Sequence, residues 1–467
     1  MLIWYTKVGL LGNLVSQKKY DVIIIGSGPG GIFTAIDLIR KSDLNILIVD
    51  KGQDILKRQK SGASILEGWG GAGAFSDGKL NFSTNSGGWL KDYVGESRLN
   101  SLIQEVDQIY LEFGASKELF GVDVDGIDDI SRKASLAGLK LVPFKIRHMG
   151  SDVTPKILGA MKTAIAEKAD IMMETEVKKI ITNNNEVLGI EVNNGENITA
   201  KNVVVAVGRT GAGWLRQEAG RLGLPLTANP VDIGVRVEVP SETMRHLTDV
   251  LYEPKFMYYS KSFDDRVRTF CVCPSGFVVP EYADDLVTVN GHSYYSKKSG
   301  NTNFALLVNT KFTAPFNDPI AYGRYVSKLA NLLVGGVLVQ RLGDLEAGRR
   351  TTPERLAKSI VEPTFKDAQP GDLSFVLPAR YLIGIKEMLR ALDQIAPGVN
   401  SKHTLLYGVE VKFYSSRVEL NPNLESNIKN LYAIGDGAGV TRGLVQSSAS
   451  GLIVSRDILS RSKIRSS

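Results

Sequence analysis

The chain has 467 residues, 43% hydrophobic and 23% charged, a globular composition with room for two or three domains and an interior able to hold a cofactor. Lys plus Arg exceed Asp plus Glu by 56 − 50 = 6. That excess is spread over short clusters at Lys18-Lys19, Arg349-Arg350 and Arg461 to Arg465, which reads as a solvated surface and against nucleic-acid or membrane binding. Two cysteines, Cys271 and Cys273, and four isolated histidines, His148, His246, His292 and His403, exclude a disulfide framework or four-cysteine site and predict no metal.

Residues 1–19 read as a tail. The apolar run from Val8 to Val15 is too brief to span a bilayer and lacks a small-residue cleavage site, so a cytoplasmic protein is expected. Val22 to Ile25 then read as a strand buried on both faces. Glycines begin where it stops: Gly26-x-Gly28-x-x-Gly31, with Gly30 between, opens a helix whose Ile32, Ala35, Ile36 and Ile39 share one face. Gly26 suits a tight turn, Gly28 a backbone that touches a pyrophosphate, and Gly31 close packing of helix on strand, while the helix start favours an anion. A second strand from Asn45 to Val49 ends at Asp50, which at this spacing accepts hydrogen bonds from an adenosine ribose; Lys51 follows. Strand, glycine turn, helix and acid together predict a bound dinucleotide.

Glu67 to Leu80 is too rich in glycine for regular structure and permits close approach of something flat. Helical periodicity over Arg98 to Phe113 and Ile127 to Leu136 marks a helical insertion, and Thr154 is expected to cap a helix with Pro155 in its first turn, running to Ala169. Strands follow at Ile171 to Glu174, Val177 to Ile181 and Val187 to Val192. Asn194-Gly195 signals a hairpin turn before the strand Asn202 to Ala206 and the turn from Val207 to Gly211. Beyond it, strand-like pieces (Ile233 to Val239, Thr269 to Cys273, Val287 to Asn290, Phe304 to Asn309) alternate with aromatics. Gly208, Gly211 and Gly213 lack the dinucleotide spacing, so no separate nicotinamide domain is expected. A strand from Asn430 to Ile434, the turn Gly435-Asp436-Gly437-Ala438-Gly439 and a helix from Gly443 to Leu459 close the chain.

The expected architecture is α/β: a Rossmann-like, discontinuous nucleotide-binding domain (20–84, 146–210 and 406–467), a helical insertion (85–145) and an inserted mixed α+β substrate domain (211–405). The ensemble resembles FAD-dependent oxidoreductases of the glutathione-reductase-type fold, most closely a bacterial and archaeal group of FAD-dependent dehydrogenases with no agreed substrate. The resemblance runs from Tyr20 nearly to the end. Its carriers are Gly26 to Gly31, Gly70 to Leu80, Arg147 to Asp152, Asp232 to Glu238, Phe270 to Pro274 and Gly435 to Gly443. Ser275 stands where a second glycine is usual and Ser151 where threonine is usual.

The resemblance implies FAD, a small-molecule substrate and an electron partner such as NAD(P)H, ferredoxin or a quinone. It places Gly70, Gly71, Ser76, Val177 (backbone to adenine), Gly208, Gly435, Asp436 (ribityl chain), Gly443 and Leu444 around the cofactor, beside Gly26, Gly28, Gly30, Gly31, Asp50 and Lys51. Catalytic candidates are His148 as a proton donor, Arg442 at a helix start where a cation needs an anionic partner, and Cys271 and Cys273, which either line the cavity over the flavin, as substrate contacts or as a dithiol exchanging electrons with it, or are simple core. Arg236 is expected to bind substrate or to pair with Glu238; Tyr294, Tyr295 and Glu410 are weaker candidates. The expected function is hydride transfer between flavin and an organic substrate. The alternatives are a nucleic-acid-modifying flavoenzyme, suggested by the net charge, and a flavin redox sensor without turnover.

Overall fold

The computed structural model describes residues 19–464 except 59–65, 77, 151, 284–285, 295–296, 311, 313–314, 317 and 414. The tail, Asp77, Ser151 and Tyr295 lie outside the described residues.

The strand Lys19–Ile25 carries Val22, Ile23, Ile24 and Ile25 buried on both faces. Such a strand belongs in the middle of a sheet, and it pairs in parallel with Ile46–Val49 on one side and Asn197–Val205 on the other. Asp170–Met172 and Leu431–Ala433 extend the parallel part of this seven-stranded sheet. Glu186–Val192 and Val177–Asn183 add an antiparallel flap, with Gly195 in left-handed backbone at the expected hairpin turn. Two helices, Pro29–Lys41 and Leu444–Ile464, pack together against it. Gly451 permits that packing, because a Cβ there would stand 2.4 Å from the Gly30 carbonyl oxygen.

The second sheet has eight strands in the order Gln369–Pro370, Leu338–Arg341, Leu405–Lys412, Val231–Pro240, Asn301–Thr310, Arg266–Cys273, Phe256–Tyr259 and Lys140–Leu141. Ile233, Val235, Val237 and Val239 meet Phe304, Leu306 and Val308 in its core.

Four expectations shift. Leu405–Lys412 straddles the boundary read at 405/406 and lies in the second sheet, antiparallel to Val231–Pro240. Leu215, Ala219 and Leu224, placed by sequence in the substrate domain, pack in the core of the first sheet. The insertion is divided: the helix Glu96–Glu112 packs on the first core, whereas Ile130 and Ala134 of the helix Val124–Leu136 join the second. Thr154 begins the helix Thr154–Ala166 but does not cap it, because its hydroxyl donates backward to the Gly150 carbonyl at 2.8 Å.

Candidate functional site

The glycine turn is built as its residue types demand. Gly26 has φ +105°, and a Cβ there would stand 2.4 Å from the Ala206 oxygen; at Gly31 it would stand 2.0 Å from the Gly26 oxygen. Gly28 differs: its φ of −75° is ordinary, and a Cβ there would meet nothing within 4 Å. It caps the helix Pro29–Lys41 with no side chain bound to the free amides. The first turn therefore presents unpaired N–H groups and the positive end of the helix dipole to open space, which fits a pyrophosphate.

Asp50 braces this turn. Its Oδ2 accepts from the Ser27 amide at 2.8 Å and the Ser27 hydroxyl at 2.7 Å, and its Oδ1 accepts from the Gly52 amide at 2.8 Å. A carboxylate has about four acceptor positions, so one remains for a ribose hydroxyl. Hydrogen bonds to a charged group are worth about 1.5–3 kcal/mol each. Asp50→Ala is thus expected to lower the melting temperature of the cofactor-free protein as well as to weaken cofactor binding about ten- to a hundred-fold. An unchanged melting temperature in a thermal scan would show that the bonds to Ser27 and Gly52 are idle.

The second glycine run lies directly on the first. The Gly70 amide donates to the Ser27 oxygen at 2.8 Å, and a Cβ on Gly71 would stand 3.3 Å from Gly28 Cα. Arg58 holds the run in place, donating to the carbonyls of Trp69 at 2.5 Å and Gly71 at 2.9 Å. Ser76 turns its hydroxyl onto the Gly73 oxygen, and Lys51 pairs with Glu67 at 2.6 Å. Gly30 packs under Ile434 and Ser447, which gives it a helix-packing role besides any ligand contact, and Val177 is buried in the core. From the other end of the chain, a Cβ on Gly437 would stand 2.3 Å from the Gly208 oxygen, and one on Gly73 would stand 2.7 Å from Leu444. Segments around 26–31, 70–76, 208 and 435–444 thus converge.

At that convergence Asp436 accepts from the Thr441 hydroxyl at 2.9 Å. Burial pushes its carboxyl above the ordinary range against the pull of Arg442 and Arg209. Asp436, Arg442 and Arg209 line a small cavity with Trp89, Phe413, Ser415, Gly439 and Thr441. Arg442 donates to the Phe413 carbonyl.

A chain of alternating charges, which the sequence reading missed, leads from this cavity into the second sheet. Arg209 stands 3.6 Å from Glu281, Glu281 3.1 Å from Lys412, Lys412 3.2 Å from Glu410, and Glu410 3.2 Å from Arg236. Arg236 and Glu410 are fully buried. Arg236 does not pair with Glu238, which instead accepts from Tyr407, Thr364 and Asn301. Nor is it placed to bind substrate, because each guanidinium nitrogen is engaged: Nε on Asn303 at 2.8 Å, Nη1 on Glu410, and Nη2 on the Cys271 carbonyl at 2.6 Å and Cys273 Sγ at 3.3 Å. The period-two spacing of Glu410 and Lys412 was the available signal.

The cysteine strand is also tied to the residue that follows the glycines. That residue, Lys79, donates to the Val272 carbonyl at 2.9 Å and to Glu253 at 3.1 Å, while Glu253 accepts from the Cys271 amide at 3.2 Å. Lys79 stands 5.7 Å from the centre of the Tyr252 ring, and His148, opposite Lys79 in a two-stranded ladder, lies 5.2 Å from the same ring. His148 and Lys79 thus flank Tyr252, next to Glu253 and the strand that carries the cysteines, while Arg236 contacts both cysteines at one end of the charge chain and Arg209, at its other end, shares a cavity with Arg442 and Asp436. Tyr294 packs on His292 and Phe277.

Burial works against ionisation of Glu281, but Lys412 and Arg209 overcome it and hold the carboxyl at about 2, below its ordinary 4.5. A depressed folded value adds stability that is whole above the unfolded value and is lost as pH falls from about 4.5 towards 2. Melting temperature is expected to fall more steeply over that window in the wild type than in Glu281→Gln. Parallel curves from calorimetry would show that the carboxylate is not held by its partners.

Among known proteins, residues 230–413 match the family model described as "FAD-dependent protein, C-terminal domain-like". An uncharacterized protein of Clostridium beijerinckii is 28% identical over 479 residues, covering 95% of this chain and 82% of that protein. Glycine oxidase from Geobacillus kaustophilus superposes with TM-score 0.38 at 15% identity, covering 95% of each chain. L-proline dehydrogenase from P. horikoshii superposes with TM-score 0.40 at 13% identity, covering 94% of this chain and 93% of that one. The family match over the second sheet and the dinucleotide-type turn in the first together identify FAD as the group this chain is built around.

Proposed function

We propose that the protein is an FAD-dependent oxidoreductase acting on a small organic substrate, with the cofactor held in a glutathione-reductase-type arrangement. The observation that carries this reading is the convergence of four separate segments, 26–31, 70–76, 208 and 435–444, on the open N-terminus of one helix. FAD, when bound, supplies a two-electron carrier for hydride transfer. Gly28 and the amides following it receive the pyrophosphate, Asp50 the adenosine ribose, the Val177 backbone the adenine, and Asp436 the ribityl chain. Arg442 and Arg209 favour negative charge in the cavity they line, either on the cofactor or on a substrate carboxylate.

The remaining residues set the environment. Lys79, on a strand that continues from the glycine run, ties the cofactor side to the cysteine strand through Val272 and Glu253. His148 stands beside this junction as a proton source, its ring positioned against Tyr252. The alternating chain from Arg209 to Arg236, three cations and two carboxylates, sets the field across the junction.

Anaerobic spectroscopy tests the reading. The purified protein is expected to show a flavin spectrum, to release all colour on acid precipitation, and to bleach with one donor among NADH, NADPH, reduced ferredoxin and quinols, with reoxidation by an organic acceptor. A colourless protein that takes up no added FAD would refute it; bleaching without any steady-state product would replace the enzyme by a redox sensor.

A further inference from the structure

We propose that Cys271 and Cys273 form a reversible redox centre of their own, two free thiols when reduced and a Cys271–Cys273 bridge when oxidised. They are the chain's two cysteines, neither in a disulfide, with sulfurs 4.0 Å apart. A regular strand would not present them this way. Phe270 stands opposite Ala305 but Cys273 opposite Asn303, so the cysteine strand spends three steps where its partner spends two. The extra residue is a bulge, and it carries Cys271 at φ +46°.

Left-handed backbone is strained for a non-glycine residue and persists where surrounding contacts enforce it. Here they do: the Cys271 amide is held by Glu253 and its carbonyl by Arg236 at 2.6 Å. Tyr252, next to Glu253, and Ser275, two residues past Cys273, are also left-handed, so strain gathers around the pair.

The two sulfurs are unlike. Cys273 is fully buried with the Arg236 guanidinium 3.3 Å from its sulfur, and a fixed cation favours the thiolate. Cys271 is partly exposed, and its hydrogen bond to Cys273, together with burial, raises its pKa well above the ordinary thiol value. The geometry thus sets two sulfurs side by side, Cys273 deep against Arg236 and Cys271 on the less buried residue.

Oxidation by a peroxide balances on these atoms. Cys271 attacks the peroxide as its thiolate; the O–O bond breaks, the departing hydroxide takes up the proton the Cys271 thiol gave up and leaves as water, and Cys271 becomes a sulfenic acid. Cys273 then attacks that sulfur, the S–O bond breaks, and the departing oxygen takes the Cys273 proton as water. Two sulfurs give up two electrons and the peroxide receives them. A small dithiol reverses the bridge by exchange.

The experiment reads thiols, not turnover, so its outcome is separable from that of the flavin reading. The full-length protein, with bound flavin or without, is treated with hydrogen peroxide, alkylated under denaturing conditions and weighed intact. The expected product has lost two hydrogens and takes up no alkyl group, and dithiothreitol restores two alkylation sites. In Cys273→Ser, oxidation should stop at a Cys271 sulfenic acid that dimedone traps; in Cys271→Ser, the buried Cys273 should remain unmodified. Two alkylations after peroxide, a cross-link between molecules, or dimedone capture at Cys273 would each overturn the proposal. The wild-type mass measurement decides even where a serine variant fails to fold.

Discussion

Gly28→Val is expected to give folded, soluble protein with no flavin, a loss of affinity of at least about a thousand-fold, or roughly 4 kcal/mol. The two halves of that outcome have separate causes. Folding survives because the residue sits at φ −75° and its Cβ would project into open space. Binding fails because that same space is where the phosphates must approach the backbone, and a branched side chain there blocks the first-turn amides. Gly31→Val makes the contrast: its Cβ would stand 2.0 Å from the Gly26 oxygen, so that variant should lose the fold itself. The visible spectrum and the circular dichroism of the two proteins check the pair. Stoichiometric flavin in Gly28→Val would remove the pyrophosphate from this turn.

The contrast also shows what a sequence makes legible. Strand, glycine turn, helix and Asp50 were readable because their pattern of apolar run, glycines and acid lies within about thirty consecutive residues, and glycine at a forced turn leaves no substitute. The partner of Arg236 was not readable. Strand periodicity places Arg236 and Glu238 on one face, which suggested that they pair. Glu410 wins because the register between the strands slips, Gly234 standing opposite Glu410 while Arg236 stands opposite Tyr407. A register slip between strands some 170 residues apart leaves no local trace. The domain limits failed for a related reason: Leu405–Lys412 is apolar enough for either sheet, and only its long-range pairing assigns it to the second.

Arg236→Met is expected to destabilise the protein by about 3–5 kcal/mol, the cost of breaking a buried pair by removing one partner. Arg236 and Glu410 are wholly inside, so water cannot replace the lost contact. Asn303 and the Cys271 carbonyl also lose a donor, and an unsatisfied buried acceptor costs about 1–3 kcal/mol. Glu410 keeps Lys412 at 3.2 Å, which limits the damage to the pair itself. Gly291→Ala reaches the same residue without touching any charge, because its Cβ would stand 2.0 Å from Arg236 Nη2 and 2.2 Å from Asn303 Oδ1. It should therefore move stability in the same direction. Adding Glu410→Met to Arg236→Met should recover part of the loss, since Lys412 retains Glu281 and two apolar side chains can fill the space of a buried ion pair. Urea unfolding of the four proteins decides. If Arg236→Met costs less than about 1 kcal/mol, desolvation of the guanidinium already cancels its pairing, and Arg236 is kept for the sulfur beside it and not for the fold.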